Sequence, residues 1–500
     1  MNNFTPPCYL FQKLGRYFAV STVSGDFYDI SEQTYTALRK WNEQLSCLAK
    51  PEEAIADKLA QAENIPDDII KAFPLVKPES LVKLSNAEKY NISDLTLNLT
   101  SSCNLACIYC WNDQGKYSDN SFASAQTPIP AHQQNVEKMS IKTAQAAVDM
   151  FVQQRDPGTK NLLIDFYGGE PLLNLETMRF VISYVQKNEA KWGVRIRFLL
   201  ATNATLLTPS IAEELLNNGV QIAVSLDGPK EVQDKNRPFS DGTGSFDTIY
   251  ANLKSMAPET LKRLVGRATV TPAYCDMVNL YKSLKAVGFE RIELFESEDA
   301  CHRINPTRQT MFFNTPEQYA ELCREYERLA LLYIEEVENG FLDYRKTFFN
   351  RFFKLMQRLY YQQEVSGGCP AGRGQIAVSL DGKIFPCTAF IGVDKFEIGS
   401  VDQGINQDKY KAFIKKADKR IEHCQECKLF SLCRATGSCL NLNHYYCGDM
   451  CKPYEIGCKF FTFKIELAIA ALSILSDKIP DSLEDLFGND PVGERGNVYY

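Results

Sequence analysis

Polar and apolar residues alternate along Asp94-Leu95-Thr96-Leu97-Asn98-Leu99-Thr100, the period of a strand with one buried face. Short apolar runs at 162–167, 194–201, 221–226, 264–271 and 291–295 read as five more strands. Between them, at 140–154, 175–192, 209–218, 245–256 and 277–287, the apolar residues recur at helical spacing. Six strand–helix repeats predict an α/β fold, a partial parallel barrel. Before it, residues 17–23 and 27–30 flank a Ser24-Gly25-Asp26 turn and read as a hairpin, followed by helices at 32–44 and 67–72. After it, 317–339 reads as an amphipathic helix leading to a cysteine-rich tail. A stretch rich in Ser, Gln, Asn and Pro at 115–137 is an insertion in the first repeat. The organisation expected is a small module at 1–92, the barrel at 93–340, a cysteine-rich domain at 341–475 and a tail at 476–500.

Most barrel strands end in a polar or glycine-bearing word: Gly168-Gly169-Glu170-Pro171, Thr202-Asn203-Ala204-Thr205, Ser225-Leu226-Asp227-Gly228-Pro229 and Thr271-Pro272. Parallel barrels place their chemistry at these C-terminal strand ends. Paired glycines let backbone approach a ligand closely, and short polar side chains can meet its amine, carboxylate or hydroxyls. Each word alone is an ordinary turn; in series they point to one binding rim.

Composition narrows the function classes. The net charge is −7, which gives no broad positive field for nucleic acid. The start of the chain lacks the charged and apolar regions of a signal peptide. The most apolar run, 467–475, is well short of the roughly 20 residues that span a bilayer. A cytoplasmic protein without a membrane partner is expected. In a reducing compartment, 17 cysteines point to metal binding or catalysis rather than disulfides. Three of them, Cys103, Cys107 and Cys110, form C-x3-C-x2-C just after the first barrel strand, a spacing expected by chance at only about 0.02 places in such a chain. Three thiolates on one short loop suit zinc or an iron–sulfur cluster. A closed zinc site wants a nearby fourth ligand, and the next histidine is His132. Three cysteines would leave one iron of a 4Fe-4S cluster open to something else.

These residues resemble those of radical S-adenosylmethionine (SAM) enzymes. The three cysteines, with Tyr109 before the last, match the family's cluster loop, and Gly168-Gly169-Glu170-Pro171 matches its second-strand motif. The resemblance spans 94–295 and implies a partial (β/α)6 TIM-like barrel whose open iron is chelated by the amino and carboxylate groups of SAM. One electron then splits SAM into methionine and a 5′-deoxyadenosyl radical, which takes hydrogen from a substrate. The segment from Ser225 through Asp227 to Arg237 is similar to one in anaerobic sulfatase maturases and peptide maturases. That likeness implies Ser225 and Arg237 as partners of the SAM carboxylate, Gly169 as a backbone contact to its amine and Leu294 as an adenine contact. Tyr109, Gly168, Glu170, Asn203 and Asp227 complete the implied cofactor-binding set. Arg237 has a plainer alternative, a surface ion pair with Asp234 or Asp241.

The later cysteines resemble a SPASM domain, which carries two auxiliary 4Fe-4S clusters. The likeness implies Cys369, Cys387 and Cys439 on the first and Cys424, Cys427, Cys433 and Cys458 on the second, with Cys447 or Cys451 available as a fourth ligand of the first. The gap before Cys439 is five residues where the pattern has three. SAM and three 4Fe-4S clusters are therefore the implied cofactors, against a pair of zinc sites, since Cys424-x2-Cys427 is also a zinc spacing.

SPASM proteins mostly modify peptides or proteins, so the implied activity is an oxidoreductase that matures a peptide or protein, installing a thioether or similar crosslink. In sulfatase maturases an Asp base follows the cysteine matching Cys387; Thr388 stands here and is no base at neutral pH. Formylglycine formation is the alternative enzyme reading, and a zinc-stabilised peptide-binding scaffold is the alternative from another class. The N-terminal sheet and helices resemble a winged-helix-like precursor-recognition module, where a leader peptide adds as an edge strand; a packing cap is the plainer reading. An electron donor such as flavodoxin or ferredoxin is the further partner implied. Residues 415–420 read as a solvated helix face, His302, His423 and His444 as lying beside ligands or at the surface, and Cys275 and Cys301 as small buried residues.

Overall fold

The computed structural model describes residues 8–46, 65, 92–110, 138–297, 313, 315–340, 350–362, 369–424, 427–433, 437 and 439–488. The insertion at 115–137, the helix expected at 67–72, His302 and Cys301 lie outside these residues.

At the N-terminus β1 (Cys8–Lys13), β2 (Arg16–Ser21) and β3 (Phe27–Ile30) form an antiparallel sheet in that order, followed by α1 (Glu32–Ser46). The expected hairpin is β2–β3, with Tyr17 opposite Ile30 and Val20 opposite Phe27. Sequence reading missed β1. Its connection to β2 is Leu14-Gly15, both at positive φ (50° and 77°), a hairpin geometry that Leu rarely signals.

The main sheet has six parallel strands: β4 (Asp94–Thr100), β5 (Asn161–Gly168), β6 (Arg195–Thr202), β7 (Val220–Ser225), β8 (Val265–Val270) and β9 (Arg291–Glu296). The main helices of the repeats are α2 (Ile141–Gln154), α3 (Leu175–Trp192), α4 (Pro209–Asn217), α5 (Lys230–Asn236), α6 (Phe246–Lys254), α7 (Pro258–Arg263) and α8 (Met277–Val287). Their ends obey local rules. The Ser140 and Thr208 side chains cap α2 and α4, and Asp276 caps α8. Left-handed Gly193 and Gly288 stop α3 and α8. The short α5 and α7 fell below what periodicity detects.

The barrel does not close. Instead β10 (Gln375–Val378), from the cysteine-rich region, pairs parallel to the outer side of β4, setting Gln375 against Asp94 and Val378 against Leu97. The strands β11 (Lys383–Phe385), β12 (Gly399–Ser400) and β13 (Gly404–Ile405) continue the sheet antiparallel, so the order is β13-β12-β11-β10-β4-β5-β6-β7-β8-β9.

Alternation sorts the two faces. Leu95, Leu97, Leu99, Ile164, Phe166, Phe198, Leu200, Ile222 and Val224 join the core under the helices. Asp94, Thr96, Asn98, Asp165, Arg197, Arg267, Thr269 and Glu293 fall on the opposite face, which gives the barrel a polar interior. At its lower end burial pushes the Asp94 carboxyl up to about 7, opposed by the Ser93 hydroxyl and Arg197 and reinforced by Asp165. The folded chain thus holds this proton more tightly than the unfolded chain, whose Asp titrates near 3.9. Stability contributed by Asp94 is full below about pH 4 and falls as pH rises to about 7. Asp94→Asn is expected to melt higher than the parent at pH 8, by a margin on the order of a few kcal/mol that shrinks towards pH 5; an equal gap at both pH values would contradict this assignment.

Three long helices close the structure: α9 (Pro316–Glu338), α10 (Asn350–Tyr360) and, after three helices of the cysteine region, the 24-residue helix Glu455–Lys478. The apolar run 467–475 forms the latter half of this last helix, where Leu467, Ala468, Ile469, Ala470 and Ala471 are fully buried. A helix apolar on most faces has to be surrounded by protein, and this one packs on α9, α10 and β1. It runs past the boundary expected at 475. Tyr9 donates to Glu466, and Lys13 pairs with Glu327 of α9 at 3.1 Å, so these helices also anchor the N-terminal sheet. Among the described residues no helix is long and apolar enough to cross a membrane.

Candidate cofactor and cluster site

The three-cysteine loop leaves the end of β4 and is stitched to the segment after α5. Ala106 N–H donates to the Pro238 carbonyl at 2.8 Å and Ile108 N–H to the Asn236 carbonyl at 2.9 Å. On its other side the loop rests on the end of β5: Gly169 N–H donates to Thr100 O at 2.8 Å and Glu170 N–H to Ser102 O at 2.9 Å. Gly168 has φ 135°, and a Cβ here or at Gly169 would strike the Thr100 or Ser102 carbonyl. The paired glycines therefore admit the cysteine loop itself. Gly169→Ala is expected to displace that loop by the order of 1 Å and lower SAM cleavage about 100-fold. Unchanged 5′-deoxyadenosine release would show that the loop tolerates the extra carbon.

Glu170, after β5, and Asn203, after β6, brace the loop. The buried Glu170 carboxylate accepts from Leu172 N–H at 3.1 Å, the Thr202 hydroxyl at 2.7 Å and Asn203 N–H at 2.7 Å. Burial raises its pKa, and these three donors work against the rise. With its oxygens so engaged, Glu170 is a strut between strand ends. The Asn203 amide donates to Asn104 Oδ1 at 2.9 Å and reaches the Cys103 sulfur at 3.9 Å, where Leu105 N–H also points at 3.5 Å. N–H groups aimed at a sulfur favour its thiolate and suit a cluster ligand.

Behind the loop lies the most buried charge in the site. Asp227 accepts from the Tyr109 hydroxyl and from Asn236 Nδ2 at 3.2 Å on one oxygen, and from Arg237 Nε at 3.2 Å and Thr269 N–H at 2.9 Å on the other. Its own N–H donates to Gln233 Oε1 at 2.8 Å. Arg237 also donates to Thr269 Oγ1 at 3.1 Å and lies 5.1 Å from the centre of the Tyr109 ring. Burial works against the Arg237 charge, but Asp227 outweighs it and holds the guanidinium above its usual range. The surface pairing with Asp234 or Asp241 is thus corrected: Asp234 pairs with Lys230, and Asp241 accepts from Thr243.

Ser225 ends β7 beside Arg267 of β8, on the interior face. Leu294 of β9 packs in the helix-side core with Ile292, and the alternation of the strand puts Glu293 and Phe295 on the interior face. Sequence reading missed the pair these make with Arg267, which donates through Nε and Nη2 to Glu293 at 2.9 and 2.7 Å and lies 5.0 Å from the Phe295 ring centre. The available signal was a charged residue within each of two neighbouring barrel strands.

All described cysteines are free thiols. Burial pushes Cys103 up to about 11, with Glu170 and Cys110 adding to the rise, and Cys107 up to about 12, with Arg237 opposing it and Cys110 and Cys103 adding to it. Protonated thiols are poor nucleophiles, and metal binding is what would deprotonate them. The later cysteines fall into the two groups implied by the SPASM likeness. Cys387 is buried with Cys369 and Cys439 as electrostatic neighbours, and the Ala389 and Phe390 N–H groups face its sulfur. Cys424 neighbours Cys433, Cys458 and Cys427. The longer gap before Cys439 leaves it in its group. Cys447 lies near Cys458, in the second group rather than the first. Cys451 donates to the Lys416 carbonyl at 3.0 Å, with Asp449, Lys416 and Lys419 as its electrostatic neighbours. Among the described residues no three of His, Cys, Asp or Glu are grouped closely enough to hold a single metal ion. In a cubane each thiolate binds a different iron. On residues 415–420 the expectation holds for exposed Lys415, Lys416 and Lys419, but Arg420 is buried. His444 is buried against Phe396, not at the surface.

A six-unit parallel sheet with three thiols at its C-terminal rim is the arrangement the radical SAM resemblance implies, and the family profiles match the chain. The radical SAM superfamily profile matches residues 97–290, and that of the SPASM iron-sulfur cluster-binding domain matches 369–428. The chain is a radical SAM enzyme of the SPASM subfamily, with SAM and iron–sulfur clusters as cofactors. It is 25% identical over 390 residues to the cysteine-type anaerobic sulfatase-maturating enzyme of Clostridium perfringens strain 13, covering 73% of this chain and 94% of that one. It is 23% identical over 366 residues to the radical SAM cyclopropyl synthase TigE of Paramaledivibacter caminithermalis, covering 70% and 68%. The solved structure of native anSMEcpe with bound AdoMet and Cp18Cys peptide shares the fold at a TM-score of 0.60 and 22% identity, covering 77% of this chain and 99% of that one.

Proposed function

We propose that the chain matures a ribosomally made peptide or protein, abstracting hydrogen to install a thioether or similar crosslink. The observation that carries this reading over formylglycine formation is Thr388, which follows Cys387 and opens a short 3-10 turn where sulfatase maturases place their aspartate base. The sulfatase-maturase reading keeps the support of the C. perfringens likeness along 94% of that enzyme.

In this reading Cys103, Cys107 and Cys110 would hold the SAM-binding cluster, Cys369, Cys387 and Cys439 the first auxiliary cluster, and Cys424, Cys427, Cys433 and Cys458 the second. A cluster held on the Cys103 loop would supply the single electron needed for reductive cleavage of SAM. The chain's own work is orientation. Asn203 and Leu105 N–H stabilise the Cys103 thiolate, and Asp227 fixes the Tyr109 ring and the Arg237 guanidinium together. Ser225 and Arg237 meet the SAM carboxylate at the rim of β7. A leader peptide would pair with the edge of the N-terminal sheet, and a flavodoxin or ferredoxin would supply electrons.

The full chain, reconstituted without oxygen, is expected to hold about 12 iron and 12 sulfide. With dithionite and SAM it should release 5′-deoxyadenosine. Precursor peptides containing cysteine should lose one hydrogen pair per crosslink by mass spectrometry. Conversion of a sulfatase-derived peptide to its aldehyde, with no crosslink in any precursor, would replace this reading by the other.

A further inference from the structure

At the C-terminal end of β9, on the same rim as the cysteine loop, a cavity of about 60 Å³ lies between the barrel and the last helices. Phe313, Leu442 and Phe461 give it apolar walls, and Glu296 and Lys464 are its charged groups. Glu296 accepts from Lys464 Nζ at 3.0 Å and from the Tyr326 hydroxyl at 2.7 Å. The pair is deeply set, with side-chain exposures of 8% for Glu296 and 15% for Lys464. Desolvation offsets much of the attraction in such a pair, so stability alone is a weak reason for it to be there. Lys464 carries three N–H donors. One goes to Glu296, and the ammonium also lies 4.4 Å from the centre of the Phe460 ring and 5.9 Å from that of Phe461, which leaves it donors to offer into the cavity.

Size and charge restrict what can enter. A cavity that takes benzene is about 150 Å³, so this one excludes an aromatic ring and suits a group of a few heavy atoms. Glu296 already neutralises Lys464. A carboxylate would add unbalanced negative charge beside Glu296, and an ammonium would face Lys464. Gly437, in the wall, lies between Cys433 and Cys439 in sequence, and Gly457, also in the wall, precedes Cys458. The cavity therefore abuts the segments that carry auxiliary-cluster cysteines.

We propose that this cavity is a substrate subsite for a short, neutral, hydrogen-bond-accepting side chain, Ser, Thr, Cys or Asn, with Lys464 as its donor. The proposal rests on the maturase reading for the identity of that substrate.

The probe is propionamide, soaked at graded concentrations into crystals of the full chain with its clusters. Its oxygen is expected on Lys464 Nζ, while propionate and propylammonium should need at least tenfold higher concentration to enter. Lys464→Met should lose the amide, and Leu442→Phe, which fills the cavity, serves if that variant does not fold. A cavity holding only water at the highest concentration, or a Lys464→Met crystal that binds the amide equally well, overturns the subsite. Peptide-dependent release of 5′-deoxyadenosine tests the maturase reading separately. Peptide turnover with an empty cavity removes the subsite alone; an occupied cavity with no peptide turnover removes the substrate role and the maturase reading together.

Discussion

A chain carrying Cys107→Ala will release no 5′-deoxyadenosine above an enzyme-free control, and its iron will fall from about 12 to about 8 per chain. Cys107 lies at the centre of the loop, with Cys103, Cys110 and Arg237 all acting on its thiol. Two cysteines cannot replace three in a loop pinned at Ala106 and Ile108 to the Asn236–Pro238 backbone, since the chain has no slack to bring another ligand in. The auxiliary groups should be untouched, because their cysteines neighbour one another and not this loop. Iron analysis separates the outcomes. Loss of about 4 iron with loss of SAM cleavage supports the assignment, whereas unchanged iron would dissociate the loop from its cluster.

The second large effect is expected at Asp227. Replacing it by alanine leaves the Arg237 guanidinium buried without its anion and strips the Tyr109 hydroxyl of its acceptor. Breaking one side of a buried pair costs about 3–5 kcal/mol, a large share of the stability of an ordinary domain. Asp227→Asn keeps the shape and removes the charge, so it should fall between parent and alanine variant. Arg237→Met with Asp227→Leu, replacing both charges by apolar groups, should recover part of the loss in thermal unfolding. It should not recover SAM binding if, as proposed, the Arg237 guanidinium meets the SAM carboxylate. Full recovery of both would reduce the pair to a packing feature.

How much of this was legible varied with the range of the interaction. The six barrel strands and their longer helices emerged within a residue or two, because each carries its own apolar period. The cysteine groups were legible because their spacing is local, and even Cys439 kept its group despite a longer gap. Partners distant in sequence were not. Nothing in Gln375-Ile376-Ala377-Val378 announces that it pairs with Asp94–Leu97, since a short apolar strand carries no address. Arg237 was matched to neighbouring Asp234 and Asp241, yet its anion comes from the end of another strand. Leu294 packs on the helix side while its neighbours Glu293 and Phe295 take the interior, since in a strand one residue is the difference between the two faces. The Glu455–Lys478 helix showed only its most apolar half, because its first turns mix aromatic, charged and cysteine residues.

The parallel pairing of β10 with β4 has a mechanical consequence. Main-chain bonds splice the cysteine-rich region to the strand that carries the Cys103 loop, so on that flank the cluster-bearing parts form one girder whose relative distance is set by sheet geometry. Electron transfer between them is thereby spared the variation that a hinge would bring. At the far flank β9 is the last strand of the sheet among the described residues, and side-chain bonds such as those from Lys464 and Tyr326 to Glu296 tie it to the neighbouring helices. The sheet thus has one flank joined to the cysteine-rich region by its own backbone ladder and one flank that ends at β9.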